Sequence, residues 1–135
     1  MLRLEVVALY AGVNILLLLV LGYLVTSARR THKIVLGDGG HEATIRAIRA
    51  HANAAEYIPA ALVGLLILSL FNGLPMWLLH AAGISLTGGR ILHAFGLHAG
   101  KLNFGRMFGM VLTFLAYLLI GGGLLFAGLT QQLGG

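Results

Sequence analysis

The chain has 135 residues, of which 59% are apolar and only 10% are charged. Soluble domains carry roughly 25% charged residues, so this composition excludes a soluble globular protein. The large apolar content also excludes a disordered chain. Cysteine is absent, which rules out disulfide bonds, a cysteine nucleophile and thiolate-bound metals. The length allows one domain, and at about 20 apolar residues per transmembrane helix it accommodates four of them.

The net charge of +5 raises the question of nucleic-acid binding. Seven of the nine basic residues are arginine, and several border apolar runs, which is typical of charges at a membrane edge or inside a membrane. No interleaving of aromatic and basic residues supports nucleic-acid binding. The six histidines form no HExxH motif and no i, i+4 pair, so no metal site is predicted.

The first transmembrane span is predicted over residues 4–28, and Arg29-Arg30 closes it. A signal peptide is the competing interpretation. The run is too long for a signal-peptide core, and two arginines follow it instead of a small-residue cleavage site, so we expect a retained helix. A polar loop follows, with its turn at Gly37-Asp38-Gly39-Gly40, where glycines permit positive φ.

The second helix is predicted over residues 43–71. About 30 residues at 1.5 Å each reach about 45 Å, which exceeds a hydrocarbon core of ~30 Å. Its second half is apolar, whereas its first half carries Arg46, Arg49, His51, Asn53 and Glu56. We therefore expect this helix to start outside the bilayer and to enter it while still polar.

The third and fourth spans are predicted over residues 75–97 and 106–129, and residues 131–135 are predicted to be a frayed tail. The loop before the third span has no charge, whereas the first and third loops carry the basic residues, namely Arg29, Arg30, Lys33 and Lys101, with Arg106 at the edge. The positive-inside rule then puts the first and third loops in the cytoplasm and both termini outside.

Four polar residues of the second helix share one face. At 100° per residue, Arg46, Arg49, Asn53 and Glu56 fall within an arc of about 80°. Such groups do not face lipid, so they face other helices or a water-filled cleft. An alternative is purely structural: Glu56 pairs with Arg49, or with an arginine of a neighbouring helix, and holds the bundle together.

The third and fourth helices add charges at the same membrane level. Arg90 and His93 share one face of the third helix, and Arg106 opens the fourth. Gly105 and Gly109 form a GxxxG pair typical of helix packing. Clustered unpaired arginines repel one another and are costly to desolvate, so an anion is expected among them. Arginine binds carboxylates in a fork geometry. Asn53 and Glu56 would suit an amine and an amide within the same ligand, so we expect a small, anionic, partly zwitterionic and peptide-like ligand.

The polar half of the second helix contains the motif Arg46-x-x-Arg49-Ala50-His51-x-Asn53-x-x-Glu56-Tyr57-x-Pro59. This motif resembles the signature of the MAPEG family, the membrane-associated proteins in eicosanoid and glutathione metabolism. Similar features recur along the whole chain, which makes residues 1–135 a single MAPEG-like transmembrane domain. The short length and the glycine turn are most similar to the bacterial branch, which implies a multi-pass protein of a bacterial inner membrane.

This resemblance implies a homotrimer of four-helix subunits that binds glutathione as a co-substrate between subunits, facing the cytoplasm. The activity it implies is a glutathione transferase or peroxidase acting on lipophilic electrophiles or lipid hydroperoxides. Arg106 matches the arginine that stabilises the glutathione thiolate. The implied glutathione-binding residues are Arg30, Arg46, Arg49, Asn53, Glu56, Arg90 and His93.

The chain departs from the family pattern at Leu97, where several catalytic members have tyrosine. Ala52 replaces a basic residue of the prostaglandin synthase motif, which argues against that activity. Three hypotheses therefore stay open: a glutathione-dependent enzyme, a non-catalytic MAPEG-fold protein that binds a lipid or small anion, and a structural or transport bundle with an interhelical salt-bridge network.

Overall fold

The computed structural model describes residues 3–100 and 103–133, which form four α-helices joined by three loops. The helices are α1 (Arg3–Thr31), α2 (Glu42–Ser69), α3 (Met76–His98) and α4 (Phe104–Leu133). No strand occurs in the described residues, and the prediction of an all-α bundle is confirmed. Lys101, which the sequence assigns to the third loop, lies outside the described residues.

The helix ends differ from the predicted spans by a few residues, and the largest difference is at the end of α4. The sequence predicted a frayed tail from residue 131, but α4 continues to Leu133. The tail prediction is therefore wrong for residues 131–133. Gln and Leu are good helix formers, and the sequence offers no glycine after Gly128 until Gly134, so nothing stops the helix at 130.

The helices alternate in direction, and the start of α1 and the end of α4 lie at the same end of the bundle. Arg3, at the start of α1, donates from Nε to the carbonyl oxygen of Ser69 at 3.0 Å and from Nη1 to that of Leu74. This ties the first helix to the loop between α2 and α3. At the same end, Ala127 of α4 lines a small cavity together with Leu74.

Helices α2 and α3 lie at the middle of the bundle, and α3 makes the more extensive contacts. It packs against all three other helices, most extensively against α4, and α2 likewise contacts every other helix. Helices α1 and α4 do not contact one another within the described residues. The cross-section is therefore a rhombus, with α2 and α3 on the short diagonal and α1 and α4 at opposite corners.

Three helices, α1, α2 and α4, are long and apolar enough to cross a membrane by length and composition alone. Helix α3 is not among them, and it carries Arg90 and three histidines, His80, His93 and His98. Eleven of its 23 residues are buried against the other helices, including Arg90 and His93. Its polar groups are thus shielded from lipid by neighbouring helices, as intramembrane charges require.

The loop between α1 and α2 turns on three glycines with positive φ, Gly37 at 76°, Gly39 at 62° and Gly40 at 74°. Asp38 fixes the turn because its Oδ1 accepts a hydrogen bond from the Gly40 N–H at 2.9 Å. Residues with a Cβ rarely adopt these angles, so the run of glycines serves as the turn that the sequence predicted.

Helices α3 and α4 approach backbone to backbone. A Cβ on Gly109 would lie 2.7 Å from the carbonyl oxygen of Gly89, and a Cβ on Gly89 would lie 2.8 Å from that of Gly109. Gly105 is on the same contact, where a Cβ would lie 3.1 Å from the carbonyl oxygen of Leu92. The GxxxG pair of α4 therefore marks the seam with α3, as small residues do between membrane helices.

Candidate functional site

A cleft of about 510 Å³ opens where α2, α3 and α4 meet, at the end of the bundle opposite to the termini. Its polar lining comes from three helices, with Arg46, Arg49 and Asn53 on α2, His93 on α3 and Arg106 on α4. Its apolar lining is Ile45, Leu97, Met107 and Met110. Five of the eight residues that the sequence nominated for the site therefore line one cleft.

Arg90 lies behind this cleft and is 1% exposed. Its Nε donates to Thr113 Oγ1 at 2.9 Å, its Nη1 donates to Asn53 Oδ1, and its Nη2 lies 3.2 Å from the sulfur of Met110. Its Cζ is 4.9 Å from the centre of the Tyr57 ring, within the range of a cation–π interaction. Among the described residues, the groups that hold the guanidinium are thus all neutral.

The contact with Arg90 determines which way the Asn53 amide points. Because a guanidinium can only donate hydrogen bonds, the side-chain oxygen of Asn53 must face Arg90. The amide nitrogen is then left without a partner among the described residues, on a side chain that lines the cleft. Asn53 can therefore donate hydrogen bonds to a ligand, as its arginine neighbours can.

His93 links α3 to the start of α4. It is 6% exposed, and its Nδ1 lies 2.9 Å from the backbone carbonyl oxygen of Arg106. The close contact of Gly89 with Gly109 brings the two helices near enough for this hydrogen bond. The side chain of Arg106 consequently enters the cleft beside the imidazole.

The cleft carries an excess of positive charge. Arg46 forms an ion pair with Glu42, which lies one turn earlier on the exposed start of α2, with 3.6 Å between Arg46 Nη1 and Glu42 Oε2. The side chains of Arg49 and Arg106 make no hydrogen bond or ion pair with any described residue. Among the described residues, no carboxylate lines the cleft. Such an arrangement attracts anions, because arginines without counter-charges bind carboxylates well.

Two nominated residues lie elsewhere in the chain. Glu56 is exposed, does not line the cleft and forms no ion pair with a described residue. The Glu56–Arg49 pair expected under the structural alternative is therefore not formed within the chain. Arg30 is also exposed and lines a separate cleft of about 540 Å³ near the end of α1, together with Arg29 and Lys33.

Sequence reasoning missed three residues of α4 that build the site, Met107, Met110 and Thr113. Met107 and Met110 line the cleft, and Thr113 is fully buried against Arg90. A signal for Met110 and Thr113 exists in the sequence. Residues 106, 110 and 113 are spaced by four and three, so they share one face of a helix that already carries a nominated arginine.

Comparison with known proteins agrees with this architecture. The profile of the MAPEG family matches residues 7–126 of the chain. The Inner membrane protein YecN of Escherichia coli, in two strains, is 41% identical over 113 residues, which cover 84% of this chain and 85% of that protein. This similarity, together with three helices that are long and apolar enough to cross a membrane, confirms the predicted location in a bacterial inner membrane. The chain belongs to the MAPEG family.

Proposed function

We propose that this chain is a glutathione-dependent membrane enzyme, a transferase or peroxidase that acts on lipophilic electrophiles or lipid hydroperoxides. The observation that carries this proposal is the cleft in which Arg49 and Arg106 have no counter-charge among the described residues. Glutathione has two carboxylates and one ammonium, so it brings net negative charge. Its carboxylates match the fork geometry of arginine.

The shape and lining of the cleft support a ligand of this size. Pockets for small ligands have volumes of about 300–1,000 Å³, and this cleft of about 510 Å³ falls in that range. The arginines form one part of its wall, and Leu97, Met107 and Met110 form an apolar part. A tripeptide bound by its carboxylates can thus place its thiol against the apolar wall, where an electrophile dissolved in the bilayer has access.

The chemistry assigned to Arg106 is stabilisation of the glutathione thiolate. A free thiol has a pKa near 8.5 and is mostly protonated at neutral pH. A guanidinium within about 4–6 Å favours the charged form and lowers that pKa. The thiolate then attacks an electrophilic carbon and expels its leaving group. With a hydroperoxide it attacks the distal oxygen and releases an alcohol, and a second glutathione converts the resulting sulfenic acid to disulfide and water.

The proposal includes a homotrimer in which adjacent subunits share each site. Glu56 and Arg30 lie exposed and outside the cleft of their own chain. A neighbouring subunit packed against the open side of the cleft would bring further groups to the ligand and would give both residues a partner. By the positive-inside rule, these sites face the cytoplasm.

A second candidate function is binding of a lipid or small anion without turnover. The observation that favours it is Leu97, which lines the cleft at the position where several catalytic members of the family have tyrosine. A leucine there provides no hydroxyl for a reacting group. The two candidates differ in the ionisation of bound glutathione, since only the enzyme needs a thiolate.

The test begins with calorimetric titration of glutathione into the purified protein in detergent. Arg49→Ala removes a cation from the cleft, and Lys33→Ala is its matched control because Lys33 is an exposed cation at the same end of the bundle but outside the cleft. Loss of a charged hydrogen bond of 1.5–3 kcal/mol should weaken binding roughly 10–150-fold in Arg49→Ala. Lys33→Ala should bind as wild type does.

The ultraviolet absorbance of the thiolate then separates the two candidates. Wild type should show bound thiolate at neutral pH, Arg106→Lys part of it and Arg106→Ala almost none, because lysine keeps the charge but loses the planar fork. Binding of glutathione only as the thiol would favour the non-catalytic candidate. No binding of glutathione to wild type would overturn both the ligand and the activity proposed here.

A further inference from the structure

The polar side chains that line the cleft differ in their ability to accept a proton. Arg46, Arg49 and Arg106 carry only donors. The oxygen of Asn53 already accepts from Arg90, and its amide nitrogen is a donor. Among the described cleft-lining residues, His93 is therefore the one side chain with an ordinary nitrogen or oxygen acceptor to offer, because methionine sulfur accepts only weakly.

The hydrogen bond to Arg106 fixes the tautomer of His93. A backbone carbonyl can only accept, so the Nδ1 that lies 2.9 Å from the Arg106 oxygen must carry a proton. In a neutral imidazole the other nitrogen, Nε2, then holds the lone pair. The backbone of α4 thus orients the ring with its basic nitrogen away from α4.

The Nε2 atom of His93 is accessible. It has no hydrogen-bond partner among the described residues. The polar side-chain atoms that are both buried and without a partner in those residues are Arg3 Nη2, Asn14 Oδ1 and Thr44 Oγ1. Since Nε2 is not one of these buried atoms and His93 lines the cleft, its lone pair is open to a ligand in the cleft.

The charges around the ring are all positive. Arg90 is on the same helix, Arg106 is on α4, and Arg46 and Arg49 approach from α2. Protonation of His93 from solvent would add a further positive charge to this cluster. A proton taken from a bound thiol leaves the total charge of the cleft unchanged, because a thiolate forms beside the new imidazolium.

We propose that Nε2 of His93 accepts the thiol proton of glutathione, an inference that rests on the proposed function. The S–H bond breaks, the N–H bond forms, and the electron pair stays on sulfur, where Arg106 stabilises it. The imidazolium later returns the proton to the leaving group or to the alkoxide released from the hydroperoxide. His93 thus supplies the proton-accepting group that Leu97, one turn later, does not have.

One variant, with a matched control, separates the role of Nε2 as proton acceptor from the role of Nδ1 in the hydrogen bond to the Arg106 carbonyl oxygen. His93→Asn places an amide N–H near the former Nδ1, so the bond to the Arg106 carbonyl can persist while Nε2 is lost. His98→Asn is the matched control. The Nδ1 of His98 also lies 2.9 Å from a carbonyl oxygen, that of Ala94, but His98 is outside the cleft.

The experiment measures, at neutral pH, thiolate absorbance and proton release to buffer when glutathione binds. Wild type and His98→Asn should form thiolate with almost no proton release, because the proton stays on His93. His93→Asn should release one proton for every thiolate formed and should conjugate a nitroaryl halide roughly 10²–10⁴-fold more slowly. One proton released per thiolate in wild type, or the same ratio and rate in His93→Asn, would overturn the proposal.

Nitrogen NMR of isotope-labelled histidine gives a measurement that does not depend on glutathione. The resonances lost in His93→Asn should report a protonated Nδ1 and an unprotonated Nε2 in the ligand-free wild type. A protonated Nε2 at neutral pH would overturn the inference. Failure of wild type to bind glutathione defeats the proposed function, whereas binding as thiolate with full proton release defeats the role of His93 alone.

Discussion

At the scale of single residues, Arg90 carries a positive charge inside a membrane bundle and has no carboxylate partner in the part of the chain that the structure describes. Its contacts are the oxygens of Asn53 and Thr113, the sulfur of Met110 and the face of the Tyr57 ring. A carboxylate there would neutralise the charge. Neutral acceptors satisfy the N–H groups of the guanidinium but do not neutralise its charge. Arg90 therefore adds to the positive potential of the adjoining cleft.

Asn53 should matter for stability and Arg49 for binding, although they lie one turn apart on the same face of α2. Asn53→Ala leaves a buried Arg90 donor without its acceptor and should destabilise the protein by roughly 1.5–3 kcal/mol. Arg49 is exposed and has no partner in the described chain, so Arg49→Ala should change stability by less than about 0.5 kcal/mol. Equal shifts of the unfolding midpoint in detergent would contradict this assignment.

The helical periodicity of α2 correctly predicted three residues that line the cleft and wrongly included a fourth, Glu56. Arg46, Arg49 and Asn53 share a face and line the cleft. Glu56 shares that face but lies outside the cleft, because angular position ignores height and ten residues advance about 15 Å along the axis. Spacing places Thr113 on the same helix face as Arg106, but its contact with Arg90 could not be predicted from the sequence, since it depends on the distance between α3 and α4.

At the scale of helices, the seam between α3 and α4 sets the geometry of the site. A Cβ on Gly109 would collide with the backbone of Gly89 and of His93. Backbone atoms cannot rotate away as a side chain does, so the collision can be relieved only by movement of a whole helix. Such a movement would also separate the His93 ring from the Arg106 carbonyl, the bond that joins the two helices at the cleft.

We therefore expect Gly109→Ala to destabilise the protein by about 1–3 kcal/mol, the usual cost of overpacking, and to weaken glutathione binding with it. Gly122→Ala on the same helix is the control, since a Cβ there meets no atom of the chain within 4 Å. It should leave stability unchanged or raise it by up to about 1 kcal/mol through helix propensity. Thermal unfolding in detergent measures both, and a neutral Gly109→Ala would show that the seam is not tight.

At the scale of the whole molecule, the direction of insertion is a separate prediction from the fold. The basic residues Arg29, Arg30 and Lys33 flank the first loop, whereas the loop after α2 has no charge. The positive-inside rule places the first loop in the cytoplasm. A reporter inserted at Gly39 should therefore be cytoplasmic and one fused after Gly135 should be periplasmic. The same sidedness for both would refute the topology.

Assembly is the second prediction at this scale. A single chain leaves long apolar faces of α1 and α4 exposed, such as Leu19, Leu118 and Phe126. It also leaves Arg30 and Glu56 outside the cleft. We expect a homotrimer, which would bring a second chain against these groups. Native mass spectrometry in mild detergent should give three times the 14.3 kDa of one chain, and a spectrum of monomer alone would contradict the shared site.

The apolar pattern predicted the number, order and approximate ends of the helices, because hydropathy marks which segments leave water. It did not predict that α1 and α4 stay apart. That arrangement depends on which helix faces pack together, and the decisive contacts are between small residues, such as Gly89 and Gly109. Glycines are frequent in this chain, so their positions alone do not identify the pair that meets.

During synthesis, α3 leaves the ribosome before the helix that holds Thr113. An arginine at the middle of a lone helix opposes insertion by about 2.5–3.5 kcal/mol, and α3 is not among the helices that are apolar enough by composition to cross a membrane. Asn53, one hydrogen-bond acceptor of Arg90, has been synthesised at that stage. The second oxygen acceptor, Thr113 Oγ1, is part of α4 and is synthesised later. We expect α3 to wait at the membrane surface and to cross as a hairpin with α4. A chain that stops at His98 should therefore leave α3 open to externally added protease, whereas the complete chain should protect it.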